Sequence, residues 1–176
     1  MIEKKREVSS DFLTGGNDML RVIICDDDVE FLRILEKEID FAFQGQKIPY
    51  KLHAYSDANQ ISSKLLSSCD IAVLDIDYEN AEYNGLDIAR KLRELRKDAV
   101  IIFVTNYIEY APEGYEVRAF RYVLKKEIPS ILHKYIHQAI DAVQSSREIV
   151  KISVNGEIID LPIEEIMYFE VQQHSV

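Results

Sequence analysis

The sequence predicts an α/β protein: a doubly wound, five-stranded parallel sheet with helices on both faces. Three observations predict it. Strand-like and helix-like segments alternate strictly, five times, between residues 20 and 145. The strand segments are apolar runs rather than alternating ones, as expected when both faces of a parallel sheet are covered. Residues that carry chemistry stand at the carboxyl ends of four of those strands, where a doubly wound fold places its site.

Leu20 to Cys25 reads as the first strand. Asp28 can cap the helix after it, which carries Val29, Leu32, Leu35, Ile39 and Phe43 at helical spacing. Gly45 and Pro49 end that helix. Tyr50 to Tyr55 is a second strand, and Ser56 or Asp57 caps a second helix carrying Ile61, Leu65 and Leu66. Asp70 to Asp75 is the third strand. Ile76 to Asn84 is a polar loop. Gly85 opens a helix with Leu86, Ile88, Ala89 and Leu92 on one face and Arg90, Lys91, Arg93 and Glu94 on the other. Ala99 to Val104 is the fourth strand, ending in Thr105-Asn106. Tyr107 to Tyr115 is predicted to be helical only in part, because Pro112 and Gly114 sit inside it. Ala119 to Leu124 is the fifth strand and ends at Lys125-Lys126. Pro129 lies in the first turn of a last helix to about Ser145, with Ile131, Leu132, Ile136, Ile140 and Val143 inward.

The flanks read differently. Residues 1–18 are polar and are expected to form a flexible extension, with Met19 reading as a natural start. Residues 19–147 make up the α/β domain. From residue 148 to 176 the pattern changes: Glu148 to Val154 alternates, Asn155-Gly156 signals a type I′ hairpin turn, and Glu157 to Leu161 alternates again. Ile166 to Val171 is a third short strand. This is the beginning of an all-β module, and about thirty residues cannot bury a core of their own.

With 47% hydrophobic residues the chain can fill a core. A net charge of -10 argues against this chain alone binding nucleic acid, because phosphate backbones need basic patches. The two cysteines, Cys25 and Cys69, flank apolar runs and read as buried thiols in a reducing compartment. No run approaches the length of a membrane span, and the N-terminus lacks an apolar signal core, so a cytoplasmic protein without membrane contact is expected.

Asp26, Asp27 and Asp28 follow the first strand and Asp75 follows the third. If those strands are neighbours, the carboxylates meet at one edge and raise one another's pKa values. A hard divalent cation with oxygen ligands relieves such a cluster. A carboxylate beside a cation, a hydroxyl (Thr105) and a lysine (Lys125) is equipped for phosphoryl transfer, with Asp75 the aspartate best placed as nucleophile.

At this point the chain resembles a known family. Ile24-Cys25-Asp26-Asp27-Asp28, Val73-Leu74-Asp75-Ile76, Asn84-Gly85-Leu86, Phe103-Val104-Thr105 and Tyr122-Val123-Leu124-Lys125 are similar to the motifs of two-component response regulator receiver domains. The resemblance implies a flavodoxin-like sheet of order 2-1-3-4-5. It implies Asp75 as phosphoacceptor for a sensor histidine kinase, in a signalling domain rather than an enzyme. It implies Mg²⁺ (or Mn²⁺) held by Asp26, Asp27, Asp75 and the main-chain carbonyl of Asp77. Thr105 and Lys125 would grip the phosphoryl group, with Thr105 and Tyr122 as the switch pair and homodimerisation following phosphorylation. The sequence departs from the family in three places. The loop from Ile76 to Asn84 is longer and lacks a Met-Pro pair, Asn106 replaces a small residue, and Lys126 stands where proline follows the lysine. The tail, from Val150 through Ile166-Met167-Tyr168-Phe169-Glu170-Val171, resembles the start of a LytTR-type DNA-binding domain. DNA contact is therefore expected only through a full-length C-terminal domain.

Two other readings stay open. A receiver-like module can act without taking phosphate. Asp75-Ile76-Asp77 after an apolar strand also resembles the haloacid-dehalogenase phosphatases. Those need an acidic pair late in the chain, and none follows Lys125 at a strand end. His133 and His137 read as a surface pair, His53 and His174 as structural, and Tyr107, Tyr110 and Tyr115 as packing around the weak fourth helix.

Overall fold

The structure, a computed structural model, describes residues 19–44, 46, 48–78, 83–128, 130–147, 149–154 and 157–162. The chain divides into two units after Val143. In the first, five parallel strands run in the order β2-β1-β3-β4-β5: β1 Leu20–Cys25, β2 Tyr50–Tyr55, β3 Ile71–Leu74, β4 Val100–Thr105 and β5 Arg121–Leu124. This is the doubly wound order expected from the motifs. Alternate residues of each strand enter opposite cores. Val22, Ile24, Val73, Ile102 and Val104 pack with the buried side chains of α1 (Val29–Phe43) and α5 (Leu132–Arg147). Ile23, Cys25, Ala72, Leu74, Ile101 and Phe103 pack with α2 (Ser63–Leu66) and α3 (Gly85–Leu95). The strand period of two explains why the runs read as continuously apolar: both faces are inside.

Helix starts follow their caps. The Asp28 carboxylate accepts from the Glu30 and Phe31 N–H groups at 2.9 and 3.1 Å. Asn84 and Asp87 form a reciprocal capping box at the start of α3. The second helix is shorter than its pattern suggests. Asp57 caps a single 3₁₀ turn, Ala58–Gln60, and Ser62 caps the one-turn α2. Between them Ile61 is extended and buried, and the predicted helix is split in two there. The fourth helix is also partial, as Pro112 and Gly114 predict: a 3₁₀ turn, Ile108–Tyr110, leads into α4, Ala111–Glu116, with proline in its first turn. Exposure corrects the sequence reading of the tyrosines: Tyr115 is 84% exposed rather than packed, and Tyr107 is exposed too, although its ring meets Tyr110 edge-on. Val29, at helical spacing in α1, is half-exposed.

Helical spacing predicts Arg93 on the solvent face of α3. Its guanidinium instead donates to the carbonyls of Val117, Lys97, Ala99 and Arg118. That clasp fastens the end of α3 to the turn before β5, where Arg118 adopts a left-handed φ of 51°. At the sheet edge away from the acids, buried Asp70 accepts from the Arg21 N–H at 2.8 Å and pairs with Arg96 at 2.7 Å.

In the second unit, β6 (Ile149–Val154) and β7 (Glu157–Pro162) pair antiparallel, with Val154 opposite Glu157. The leader 1–18, the Asn155-Gly156 turn, the predicted strand 166–171, Pro129 and His174 lie outside the described residues.

Candidate functional site

Strand register sets the site. Cys25 lies opposite Leu74, Leu74 opposite Phe103, and Thr105 opposite Leu124. The next residues, Asp26, Asp75 and Lys125, therefore leave the sheet at one rim, and Thr105 closes its own strand there. Asp26, Asp27 and Asp75 each offer a carboxylate oxygen, and the three oxygens lie within 4.8 Å of one another. The Lys125 ammonium bridges the cluster, 2.7 Å from Asp26 Oδ2 and 2.7 Å from Asp75 Oδ2. The remaining oxygens are held by main chain: Asp26 Oδ1 accepts from Asp28 N–H at 3.0 Å, and Asp75 Oδ1 from Ile76 N–H at 2.7 Å.

The electrostatics follow from burial. Asp26 is fully buried, and that burial pushes its carboxyl up to about 6, with Lys125 opposing and the Asp75 charge adding to the rise. Burial pulls the Lys125 ammonium down, but its hydrogen bonds to Asp26 and Asp75 more than offset that and hold it above its ordinary value. A buried carboxyl raised in this way, among oxygen donors alone, fits a hard divalent cation.

Among the other residues predicted from sequence, Thr105 is fully buried and its Oγ1 accepts from Tyr107 N–H at 3.4 Å. Asp77 is exposed, and its carboxylate accepts from the Tyr107 hydroxyl, which raises the tyrosine pKa. Tyr122 lies opposite Phe103 in register, half-buried, and its hydroxyl donates to the Tyr107 carbonyl. Tyr107 thus meets the Asp77 carboxylate through its side chain and the Tyr122 hydroxyl through its carbonyl. Lys126 follows Lys125 into a 3₁₀ turn, Lys125–Glu127, closed by a bond from Leu124 N–H to Glu127 Oε2 at 3.2 Å. His137 bonds to Gln46 at 3.2 Å and His133 meets the Phe41 ring edge-on, so the two histidines have separate neighbours.

Two contributions escaped the sequence reading. Phe31 places its ring 4.5 Å from the Lys125 ammonium. Its position in the first turn after the Asp28 cap was the available signal. Tyr78, assigned to a polar loop, is buried beside Cys25 and Ile76, and its hydroxyl donates to the Cys25 carbonyl at 3.4 Å. That contact ties the loop after Asp75 to the strand that ends at Asp26.

A five-stranded 2-1-3-4-5 sheet with acids, a hydroxyl and a lysine at its carboxyl rim defines a class, and the comparisons with known proteins agree. The chain belongs to the response regulator receiver domain family, whose profile matches residues 22–137. It is 31% identical over 157 residues to the sensory transduction protein LytT of Bacillus cereus, an alignment covering 84% of this chain and 60% of that protein. The chain thus spans about three fifths of that relative's length. Among solved structures it is similar to the response regulator TrrA of Thermotoga maritima in complex with Mg²⁺-BeF (25% identity, 69% of this chain, 99% of that one, TM-score 0.56). It is also similar to a CheY-like receiver domain protein of Methanospirillum hungatei (22% identity, 72% and 97%, TM-score 0.59). No helix among the described residues is long and apolar enough to cross a membrane.

Proposed function

We propose that this chain receives a phosphoryl group from a sensor histidine kinase on Asp75 and passes the signal to a LytTR-type DNA-binding output. The observation that carries the reading is the Lys125 ammonium, 2.7 Å from both Asp26 and Asp75 at the rim where the three carboxylates converge. An Asp75 oxygen forms the new P–O bond as the P–N bond to the kinase histidine breaks, and the electron pair returns to the ring nitrogen. Lys125 then holds a phosphoryl oxygen, and the buried Thr105 hydroxyl donates to another. Asp26, Asp27, Asp75 and the main-chain carbonyl of Asp77 are the residues that would hold Mg²⁺ or Mn²⁺. The chemistry such a cation supplies is neutralisation of the acid cluster and of the phosphoryl oxygens.

The Thermotoga relative was solved in complex with Mg²⁺-BeF, which supports this assignment of the pocket. The likeness to LytT supports the output. In this reading residues 1–18 are an extension, 19–147 the receiver and 148–176 the beginning of the DNA-binding domain. The protein works in the cytoplasm, Thr105 and Tyr122 act as the switch pair, and phosphorylation promotes a homodimer.

Incubation with acetyl phosphate, read by intact-mass spectrometry, tests the proposal. The chain should gain one phosphoryl group with Mg²⁺, little without it, and none in Asp75→Asn. Labelling that persists in Asp75→Asn would remove Asp75 from the role. A wild-type chain that neither labels nor binds beryllofluoride would instead be an interaction module that takes no phosphate.

A further inference from the structure

The ammonium of Lys125 meets acids on one side and an aromatic ring on another. Asp26 and Asp75 each stand 2.7 Å from the nitrogen, and the centroid of the Phe31 ring stands 4.5 Å from it. Phe31 is keyed to the same strand–helix junction as Asp26. Asp28 donates its N–H to Asp26 Oδ1 at 3.0 Å, and Asp28 Oδ1 in turn accepts from the Phe31 N–H at 3.1 Å. One short stretch, residues 26–31, therefore supplies the lysine with a carboxylate and a π-face in fixed relation. A ring face within about 6 Å attracts a cation, and more strongly where water is excluded. The Lys125 side chain is only 12% exposed.

We propose that Phe31 is a positioning residue for Lys125, holding its ammonium at the rim of the acid cluster so that it meets the oxygens of a group carried on Asp75. The proposal rests on the phosphoacceptor reading above. On that reading Asp75 would carry the phosphoryl group and Asp26 would be among the residues holding a cation, so both acid anchors of Lys125 would have other partners. The Phe31 ring offers no oxygen to either group and would remain free to hold the ammonium. Leucine in its place would keep apolar contact with the core but offer no negative face.

Two measurements on the whole chain test this. The first is titration with beryllofluoride in the presence of Mg²⁺. Phe31→Leu should bind about fivefold more weakly, and Phe31→Tyr, which keeps a π-face, about as well as wild type. The second needs no ligand: the ε-protons of Lys125 should be shifted upfield by the ring in NMR spectra, and the shift should vanish in Phe31→Leu. Equal affinity of Phe31→Leu and wild type would overturn the positioning role, as would an unshifted Lys125 in the wild type. Should Phe31→Leu fail to fold, the wild-type shift and the affinity of Phe31→Tyr decide. A wild-type chain that binds no beryllofluoride yet shows the shifted protons would sink the phosphoacceptor reading and leave the hold of Phe31 on Lys125 standing.

Discussion

A Cβ placed on Gly85 would stand 1.7 Å from the carbonyl oxygen of Asp75 and 2.8 Å from its carbonyl carbon. The Gly85 N–H also donates to the Ile76 carbonyl at 3.3 Å. The first residue of α3 thus lies directly on the main chain that carries the central acid. Asn84 ends the loop by capping α3, and the glycine after it permits the approach.

Gly85→Ala should therefore cost about 3 kcal/mol of stability, because the obstacle is backbone and cannot swing aside as a side chain would. Urea unfolding at an unchanged slope would measure it. Labelling by acetyl phosphate should slow as well, since the displaced atoms belong to Asp75. A variant as stable as wild type would show that α3 can slide to make room.

Much of this architecture was legible from sequence because its signals are local. Strands buried on both faces must be apolar at every position, so Leu20–Cys25 and Ile71–Leu74 announced themselves, and each strand end fixed where its acid emerges. The short pieces were harder. Ile61 carries helical spacing yet lies extended and buried between two single turns, a burial that spacing alone does not distinguish from that of a helix. Phe31, Tyr78 and Arg93 escaped for another reason: each acts on a partner remote in sequence. Helical period put Arg93 on the outer face of α3, but a long side chain can reach around, and its targets include Val117, twenty-four residues on.

Arg93→Ala should destabilise the protein by about 2 kcal/mol, since several carbonyls lose their donor together. Arg93→Lys should recover only part of that, because an ammonium on a flexible stem does not reproduce the planar fork. Hydrogen exchange would localise the effect: the Arg118 and Ala119 amides, bonded to the Tyr115 and Gly114 carbonyls, should exchange faster. Unchanged exchange there would mean that the turn holds itself without the clasp.

Asp27→Ala should weaken Mg²⁺ binding by about tenfold or more while leaving the fold intact. Asp27 is partly exposed and contributes one of the three converging oxygens, so its loss removes a ligand without opening the core. Calorimetric titration with Mg²⁺ would measure the change. An unaltered affinity would place the cation elsewhere.

The last prediction concerns alkaline pH and the thiol of Cys69. Cys69 is fully buried, and its Sγ–H donates to the Ile71 carbonyl at 3.2 Å. Burial pushes the thiol from its ordinary 9.0 up to about 12, and the Asp70 charge adds to the rise. Above about pH 9 the unfolded chain releases this proton while the folded chain keeps it. The unfolded state then binds fewer protons, so stability must fall as pH rises towards about 12, by up to ~1.4 kcal/mol per pH unit. Below about pH 9 the term is constant. Cys69→Ala lacks it, whereas Tyr50 and Tyr122, which burial also pushes up to about 12, titrate in both proteins and cancel in the difference. Urea unfolding of the two proteins at about pH 8 and about pH 10.5 should therefore show the advantage of wild type shrinking by about 2 kcal/mol. Parallel pH curves would mean that the folded protein ionises Cys69 as readily as the unfolded chain does, and that its burial beside Asp70 does not hold in solution.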